Sequence, residues 1–424
     1  MDRLFITHIG ALALPDPART GVLNLPVDVI HDTWLEIEDG RVKQIGAAGE
    51  PKPPDSTAAA LRYHAGGRLA TPGFVDAHTH PVFISWRSGE FLRRIRGETY
   101  QQIAAAGGGI LSSVRGVRSA TVEQLAELVR KRLDRFLELG TTTIEAKSGY
   151  GLTVEDELKS LRALHTAAAA HPVEVSPTLL GAHTIPPEHR HNPDEYTTLV
   201  CDRMIPAAAA ARLADAVDVF LEEGAFTLPQ ARRVFEAGRK AGLSLRIHAD
   251  QFTSGGGAAL AAEFGALSAD HMDHTDEAGL KLLAQAGVTV VLLPGAVFFL
   301  GLNDYAPARR MLDNNCRIAL ATDFNPGSCP TQSLPLMMTL ACIKMKLTPA
   351  EALWAATMGG AYALGANDRI GTLKPGYQAD ICLWVADDAD FIPYSFGNAS
   401  PEAVFKRGKL VYRRSSAPTA DLIQ

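Results

Sequence analysis

Cysteine is scarce. The chain holds five in 424 residues (Cys201, Cys316, Cys329, Cys342 and Cys382), an odd number with no Cys-x-x-Cys pair. That pattern argues against a disulfide framework and points to a reducing, cytoplasmic setting. Cys329 reads as a buried structural thiol. Basic charge is not in excess either. Against 47 Asp and Glu stand 41 Lys and Arg, a formal net charge of −6, and no Lys/Arg cluster is long enough to mark a nucleic-acid surface. No apolar run approaches the roughly 20 residues needed to span a bilayer. Leu4–Leu14 comes nearest to a signal segment, but Asp2 weakens a cationic start and His8 interrupts the run, so it reads as a strand. There is no internal repeat of fixed period and no low-complexity tract beyond Ala-rich stretches such as Ala207–Ala211. Gly107–Gly109 lacks the Gly-Lys-Ser/Thr of a phosphate loop. A flap over a site mouth and a plain flexible loop both fit it.

What is present is the composition of an ordinary globular protein, 46% hydrophobic and 21% charged, long enough for one large barrel plus a smaller module. Three zones are visible. Residues 1–70 hold strand-like pieces: Leu4–Leu14, then Thr33–Ile45, which alternates around the hairpin signal Asp39-Gly40. Ala47–Ala60, rich in Pro, Ala and Gly, reads as a loop. Residues 71–368 alternate short apolar runs with longer stretches of helical period. The runs are Gly73–His80, Thr141–Lys147, Glu174–Ala182, Ala216–Glu222, Leu243–Asp250, Ala266–Met272, Val288–Pro294 and Arg317–Asp323. The helices between them include Val122–Leu139, Val154–His171, Leu228–Ala241 and Asp276–Ala286. Near-continuous apolar strands joined by helices imply a parallel sheet covered on both faces. Eight such units have the size of a closed (β/α)8 TIM barrel, with a doubly wound open sheet as the alternative. Strands return in 369–424 at Ala379–Val385 and Ala403–Arg413. The economical reading is an α/β chain: a barrel over 71–368 and a small β-sandwich domain built from 1–70 and 369–424.

In such a barrel the C-terminal strand ends converge on one mouth, so the residues closing the eight runs are the candidate chemistry. The first run ends in Asp76-Ala-His-Thr-His80. Alternate residues on a strand share a face, so His78 and His80 project together. Ser148-Gly-Tyr-Gly151, His183, and Glu222 with Glu223 follow the next three. His248, followed by Asp250 and Gln251, closes the fifth, His271 the sixth and Asp323 the eighth. The seventh, ending at Pro294, offers nothing titratable. Five of the 13 His therefore sit at strand ends. His78, His80, His248 and Asp323 supply three nitrogens and a carboxylate oxygen, a donor set for Zn²⁺ or Fe²⁺ rather than Mg²⁺ or Ca²⁺. An ion so held would lower the pKa of a water to about 7. Asp323 can hold the ion and accept a proton from the water. His271 stands as a donor to the water or to a developing oxyanion. Lys147, read as lying beside a turn, gives no clear bridging group, which favours one ion over two.

These residues resemble the amidohydrolase superfamily: Pro72-Gly-Phe-Val-Asp-Ala-His-Thr-His80 on the first strand, lone His on the fifth and sixth, Asp on the eighth, and Leu373-Lys-Pro-Gly-Tyr-Gln-Ala-Asp-Ile-Cys-Leu383 beyond. Finer motifs are similar to one family within it: Gly107-Gly-Gly-Ile110, Glu145-Ala-Lys-Ser-Gly-Tyr-Gly-Leu152, Leu180-Gly-Ala-His183 with Pro186-Pro-Glu188, His248-Ala-Asp-Gln251 and Thr322-Asp-Phe-Asn-Pro-Gly-Ser328. That resemblance implies hydrolysis of the ring lactam of 4-imidazolone-5-propanoate to N-formimidoyl-L-glutamate, a step of histidine degradation, by a homodimer. It implies a small anionic heterocycle as substrate and Arg87 as the clamp for its propionate, a task suited to the guanidinium fork. Tyr150 and His183 match substrate-touching positions. Gln251 matches one where many relatives carry Glu. Since Gln cannot act as a base, it is assigned hydrogen bonding only. Asn325, Gly327 and Ser328 can offer backbone N–H groups and a hydroxyl to a carboxylate.

Two other readings stand beside this one. A deaminase of a heterocyclic base would use the same ion and release ammonia, but the cationic and N–H-rich groups suit an anionic tail that nucleobases lack. A barrel retained for binding alone is the third; a missing ligand type would favour it, and every ligand type is present.

Overall fold

The computed structural model describes residues 3–18, 27–47, 61–98, 102–103 and 106–414. Most of the Ala47–Ala60 loop lies outside them. The first eight-stranded sheet draws on both ends of the chain. It takes β1 (Arg3–Pro15), β2 (Val27–Glu38), β3 (Arg41–Ile45), β4 (Leu61–His64) and β5 (Leu69–Pro72) from the N-terminal part. It takes Ile381–Trp384, Ala403–Lys406 and Lys409–Arg413 from the C-terminal part. β5 is the join, pairing parallel with β1 and antiparallel with Ile381–Trp384. The Asp39-Gly40 turn falls where the alternation places it, with φ positive at both residues (50° and 78°) as a two-residue hairpin of right-handed twist requires.

The second sheet is the barrel. Its eight strands are β6 (Phe74–Asp76), β7 (Thr141–Lys147), β8 (Glu174–Ala182), β9 (Ala216–Leu221), β10 (Ser244–Ala249), β11 (Ser268–His271), β12 (Thr289–Leu292) and β13 (Arg317–Leu320). They pair in sequence order, parallel throughout. Each coincides with a run read from the sequence, apart from ends trimmed by a few residues. The first run is trimmed most: its ladder stops at Asp76, and the chain then continues extended to His80. That extension closes the ring. Thr79 bridges Phe324 in parallel; His78 O accepts the N–H of Asp323 (3.1 Å) and Phe324 O accepts that of His80 (2.8 Å).

Helix Val122–Glu138 is written locally. The Thr121 hydroxyl accepts the Gln124 N–H, and the Gln124 side chain accepts that of Thr121. Leu125, Val129, Leu133 and Phe136 then recur at helical spacing and are all fully buried. Gly140 ends the connection with φ +89°, and a Cβ there would lie 3.1 Å from the Trp384 ring. Glycine thus allows both the reversal into β7 and the close seat of the terminal sheet on the barrel.

Candidate active site

The closing seam between first and last strands is also where the sequence-predicted ligands meet. His78 Nε2 lies 3.2 Å from His80 Nε2 and 3.5 Å from Asp323 Oδ1. His80 Nε2 lies 3.4 Å from both Asp323 Oδ1 and His248 Nε2. Four donors held about 2.0–2.2 Å from one ion in a tetrahedron stand about 3.3–3.6 Å apart, so these spacings are those of a single ion's ligands. The far sides of two rings are anchored. His78 Nδ1 is 2.7 Å from Asp270 Oδ2, and His248 Nδ1 is 2.9 Å from Asp218 Oδ2. With an ion bound, those carboxylates would hold each ring's remaining proton on Nδ1 and leave Nε2 facing the cluster. Against burial and Lys147, Asp270 and Asp323 push the His78 imidazole up to about 9, so positive charge, as a proton or a metal ion, is favoured at the centre of the cluster.

Charge makes the same demand. Lys147 is fully buried, with Nζ 2.8 Å from Glu145 Oε1, 2.7 Å from Asp218 Oδ2 and 3.7 Å from Asp270 Oδ2. Burial would discharge it, but these carboxylates outweigh burial and raise its pKa. Burial likewise opposes ionisation of Asp218, Asp270 and Asp323. His248 and Lys147 nonetheless hold Asp218 well below the carboxylate range. His78 and Lys147 hold Asp270 at about 2, and the His78 and His80 imidazoles hold Asp323 well below the usual range. Three ionised carboxylates against the Lys147 ammonium and the His78 imidazolium leave the site net negative, which suits a bound cation. Lys147 closes the strand read from the sequence, next to the Ser148-Gly149 segment. It is the last residue of β7, and its ammonium braces the acids behind the ligands.

Asp218, Asp270 and Glu145 were not singled out from the sequence. For Asp218 a signal was present: a lone acid inside the apolar run Ala216–Leu221 must find a buried cation. Replacing Asp270 by Asn should therefore weaken metal affinity by about 10–100-fold, measured by chelator competition, with His78, His80, His248 and Asp323 unchanged.

Of the remaining candidates, Arg87, Tyr150, His183, Gln251, Asn325 and Ser328 line one cavity over the cluster. An imidazole nitrogen of His271 lies within 4.8 Å of those of His78 and His248. Burial pushes His271 down to about 3 and His183 to about 4, so both are neutral at physiological pH. His183 Nδ1 is 2.9 Å from Gly149 O; its proton sits there, leaving Nε2 as a hydrogen-bond acceptor. The Tyr150 turn is gripped by Glu157, whose buried carboxylate accepts the N–H groups of Gly149, Gly151 and Leu152 at 2.7–2.8 Å. The loop after Gln251 is held by Glu222, which accepts the Phe252 N–H at 2.8 Å. Asp323 and His271 have φ of +51° and +74°, a conformation L-residues adopt at a cost and one that turns both side chains at their strand ends.

The Asn325–Ser328 loop departs from expectation. Asn325 Oδ1 already accepts the N–H groups of Gly327 and Ser328, each at 2.8 Å, so those amides are not open to a ligand. The Ser328 hydroxyl donates to Asp323 Oδ2 (3.2 Å), the oxygen turned away from the ligand contacts. Gly327 serves by being small: a Cβ there would lie 2.4 Å from Arg87 Nη1. Cys329 is buried, and burial pushes its thiol pKa far up.

A ligand cluster on the C-terminal rim of a parallel barrel defines a class, and comparison agrees: the amidohydrolase family profile matches residues 69–411, and the chain belongs to that family. Guanine deaminase from E. coli shares the fold (TM-score 0.73, 17% identity, 98% of this chain and 100% of that one), as does a zinc-bound adenosine deaminase from Xanthomonas campestris (0.70, 19%, 99% and 94%). Sequence relatives narrow the class. Imidazolonepropionase of Solibacter usitatus is 45% identical over 417 residues, 96% of this chain and 98% of that one; that of Geobacillus kaustophilus is 46% identical over 411 residues, 96% of each. Within the amidohydrolases, the chain is a member of the imidazolonepropionase family.

Proposed function

We propose that the protein hydrolyses the ring amide of 4-imidazolone-5-propanoate, giving N-formimidoyl-L-glutamate. The observation that carries this reading is a guanidinium, Arg87, on the wall of the cavity that also contains His80, His248 and Asp323, in a chain about 45% identical to imidazolonepropionases over nearly its whole length. His78, His80, His248 and Asp323 would hold one divalent ion, Zn²⁺ or Fe²⁺. When bound, such an ion supplies Lewis acidity that acidifies water and polarises the ring carbonyl.

The chain's own groups do the rest. Arg87 takes the propionate and sets the ring's position. His183 Nε2 accepts a ring N–H, the only role its tautomer leaves it. Tyr150 and Gln251 add hydrogen bonds to the ring. Asp323 accepts a proton from the attacking water through Oδ2, where the Ser328 hydroxyl steadies it. Water adds to the ring carbonyl carbon and the ring C–N bond breaks. Asp323 returns the proton to the departing nitrogen, and neutral His271 donates to the developing oxyanion. The free thiols of Cys201, Cys316, Cys329, Cys342 and Cys382 support a cytoplasmic setting, and a homodimer belongs to the same reading.

Substrate depletion with 4-imidazolone-5-propanoate, paired with an ammonia assay and elemental analysis, tests the proposal. Loss of substrate with formimidoylglutamate formed and no ammonia supports it; ammonia release from a nucleobase, with no turnover of the imidazolone, replaces it by a deaminase. Arg87→Ala should raise KM by roughly 10–150-fold, the equivalent of about 1.5–3 kcal/mol for a charge-assisted bond. An unchanged KM removes the clamp.

A further inference from the structure

Arg87 does not meet the cavity as an independent side chain. Its Nε and Nη2 donate to one oxygen of Glu90, Oε2, at 2.9 and 2.7 Å. The other oxygen, Oε1, accepts the backbone N–H of Gly109 at 2.9 Å. A single carboxylate therefore ties the guanidinium to the glycine-rich loop. Gly109 is buried, has φ +69°, and is the N-cap of helix Ile110–Ser119, which has no side-chain cap of its own. The next residue, Ile110, lines the cavity. A Cβ at Gly108 would come within 3.1 Å of Glu90 Oε1 and 2.8 Å of Ile103, so the loop reaches this carboxylate only because it is glycine. On the opposite side the guanidinium lies against Gly327 with no room for a Cβ. Arg87 is thus wedged between Gly327 and Glu90, and Glu90 passes the constraint to Gly109 and the first turn of the helix.

We propose that Glu90 is a positioning residue that couples recognition of the substrate carboxylate by Arg87 to the seating of the Gly107–Gly109 loop and Ile110 over the cavity. A carboxylate that chelates Nε and Nη2 orients the planar fork and leaves Nη1 at the Gly327 side. The same carboxylate satisfies a buried N–H that otherwise lacks an acceptor. Glutamine cannot do both, since its one acceptor oxygen would have to choose between Arg87 and Gly109. The inference rests on the assignment of Arg87 as the propionate clamp.

Two measurements on the metal-loaded protein test it. The first is hydrogen–deuterium exchange over residues 106–113 without substrate, in wild type, Glu90→Gln and Arg87→Ala. Both variants should exchange there at least about tenfold faster than wild type. Unchanged exchange in either variant overturns the coupling, whatever the protein's substrate. The second is a double-mutant cycle on KM for 4-imidazolone-5-propanoate. Glu90→Gln alone should raise KM about tenfold with kcat within about twofold, and should add nothing in the Arg87→Ala background. Independent, multiplying effects would make Glu90 merely structural, and a lowered KM would make it a screen for Arg87's charge; either overturns the proposal. If wild type does not turn over the imidazolone, the proposed function fails, and the exchange experiment alone still decides the link between Glu90 and Gly109.

Discussion

Replacing His248 by alanine is expected to remove the divalent ion and catalysis together. In the proposed site His248 supplies one of four ligand atoms, and its ring is oriented from behind by Asp218 at 2.9 Å. Alanine leaves Asp218 still paired with Lys147 (2.7 Å), so the fold has no unpaired buried charge to relieve and the loss should be confined to the ion. Elemental analysis should fall from about one ion per chain to a trace, with turnover at the blank and the circular-dichroism spectrum unchanged. Wild type stripped with a chelator should lose activity and regain it on adding Zn²⁺ or Fe²⁺, whereas the variant should not regain it. A His248→Ala protein that keeps both its ion and its activity would disprove the ligand assignment.

Asp323→Asn is expected to have the second large effect, and a different signature. The amide keeps an oxygen toward His78 and His80 but cannot accept a proton. The loss should fall on kcat, about 10²–10⁴-fold for a general base, with KM changed little. Ser328 donates to Asp323 Oδ2, so Ser328→Ala should move kcat in the same direction by less. Near-normal turnover of Asp323→Asn would leave the residue as a passive ligand, and proton transfer would pass to His271. Placing the base at the seam, where Asp323 N–H bonds His78 O, fixes its distance to the ligands through the backbone itself. On the proposed reading, that is how one carboxylate would both hold an ion and reach water.

Much of this was open to reading in the chain. Residues two apart on a strand share a face, so His78 and His80 were bound to project together wherever the strand lay. The barrel rule then turned His248, His271 and Asp323 from scattered letters into strand ends facing one mouth. The eight runs and the helices between them were legible because both faces of each strand are covered, which demands unbroken apolar sequence. Lys147 was placed at the end of its strand, but its role as the cation between Glu145, Asp218 and Asp270 was not legible. Whether an ammonium lies in a turn or in a barrel's centre depends on which strands stand beside it. Gly327 and Ser328 were misread because the capture of their amides by Asn325 is a matter of loop geometry, for which residue type is no guide.

Local order therefore determined the periodicities: which residues form strands, which face each side chain takes, and which ligand types stand at the ends. Only the closed ring decided their partners. Asp218 and Asp270 become anchors for His248 and His78 because adjacent strands bring them behind those rings. Lys147 can neutralise both because β7 faces them across the barrel interior. Glu90 reaches Gly109, 19 residues away, because the loop folds back onto the wall that carries Arg87. Period and propensity act over a few residues along the chain, whereas charge pairing and metal geometry act over a few ångströms in space, and closure of the barrel is what brings those two scales together.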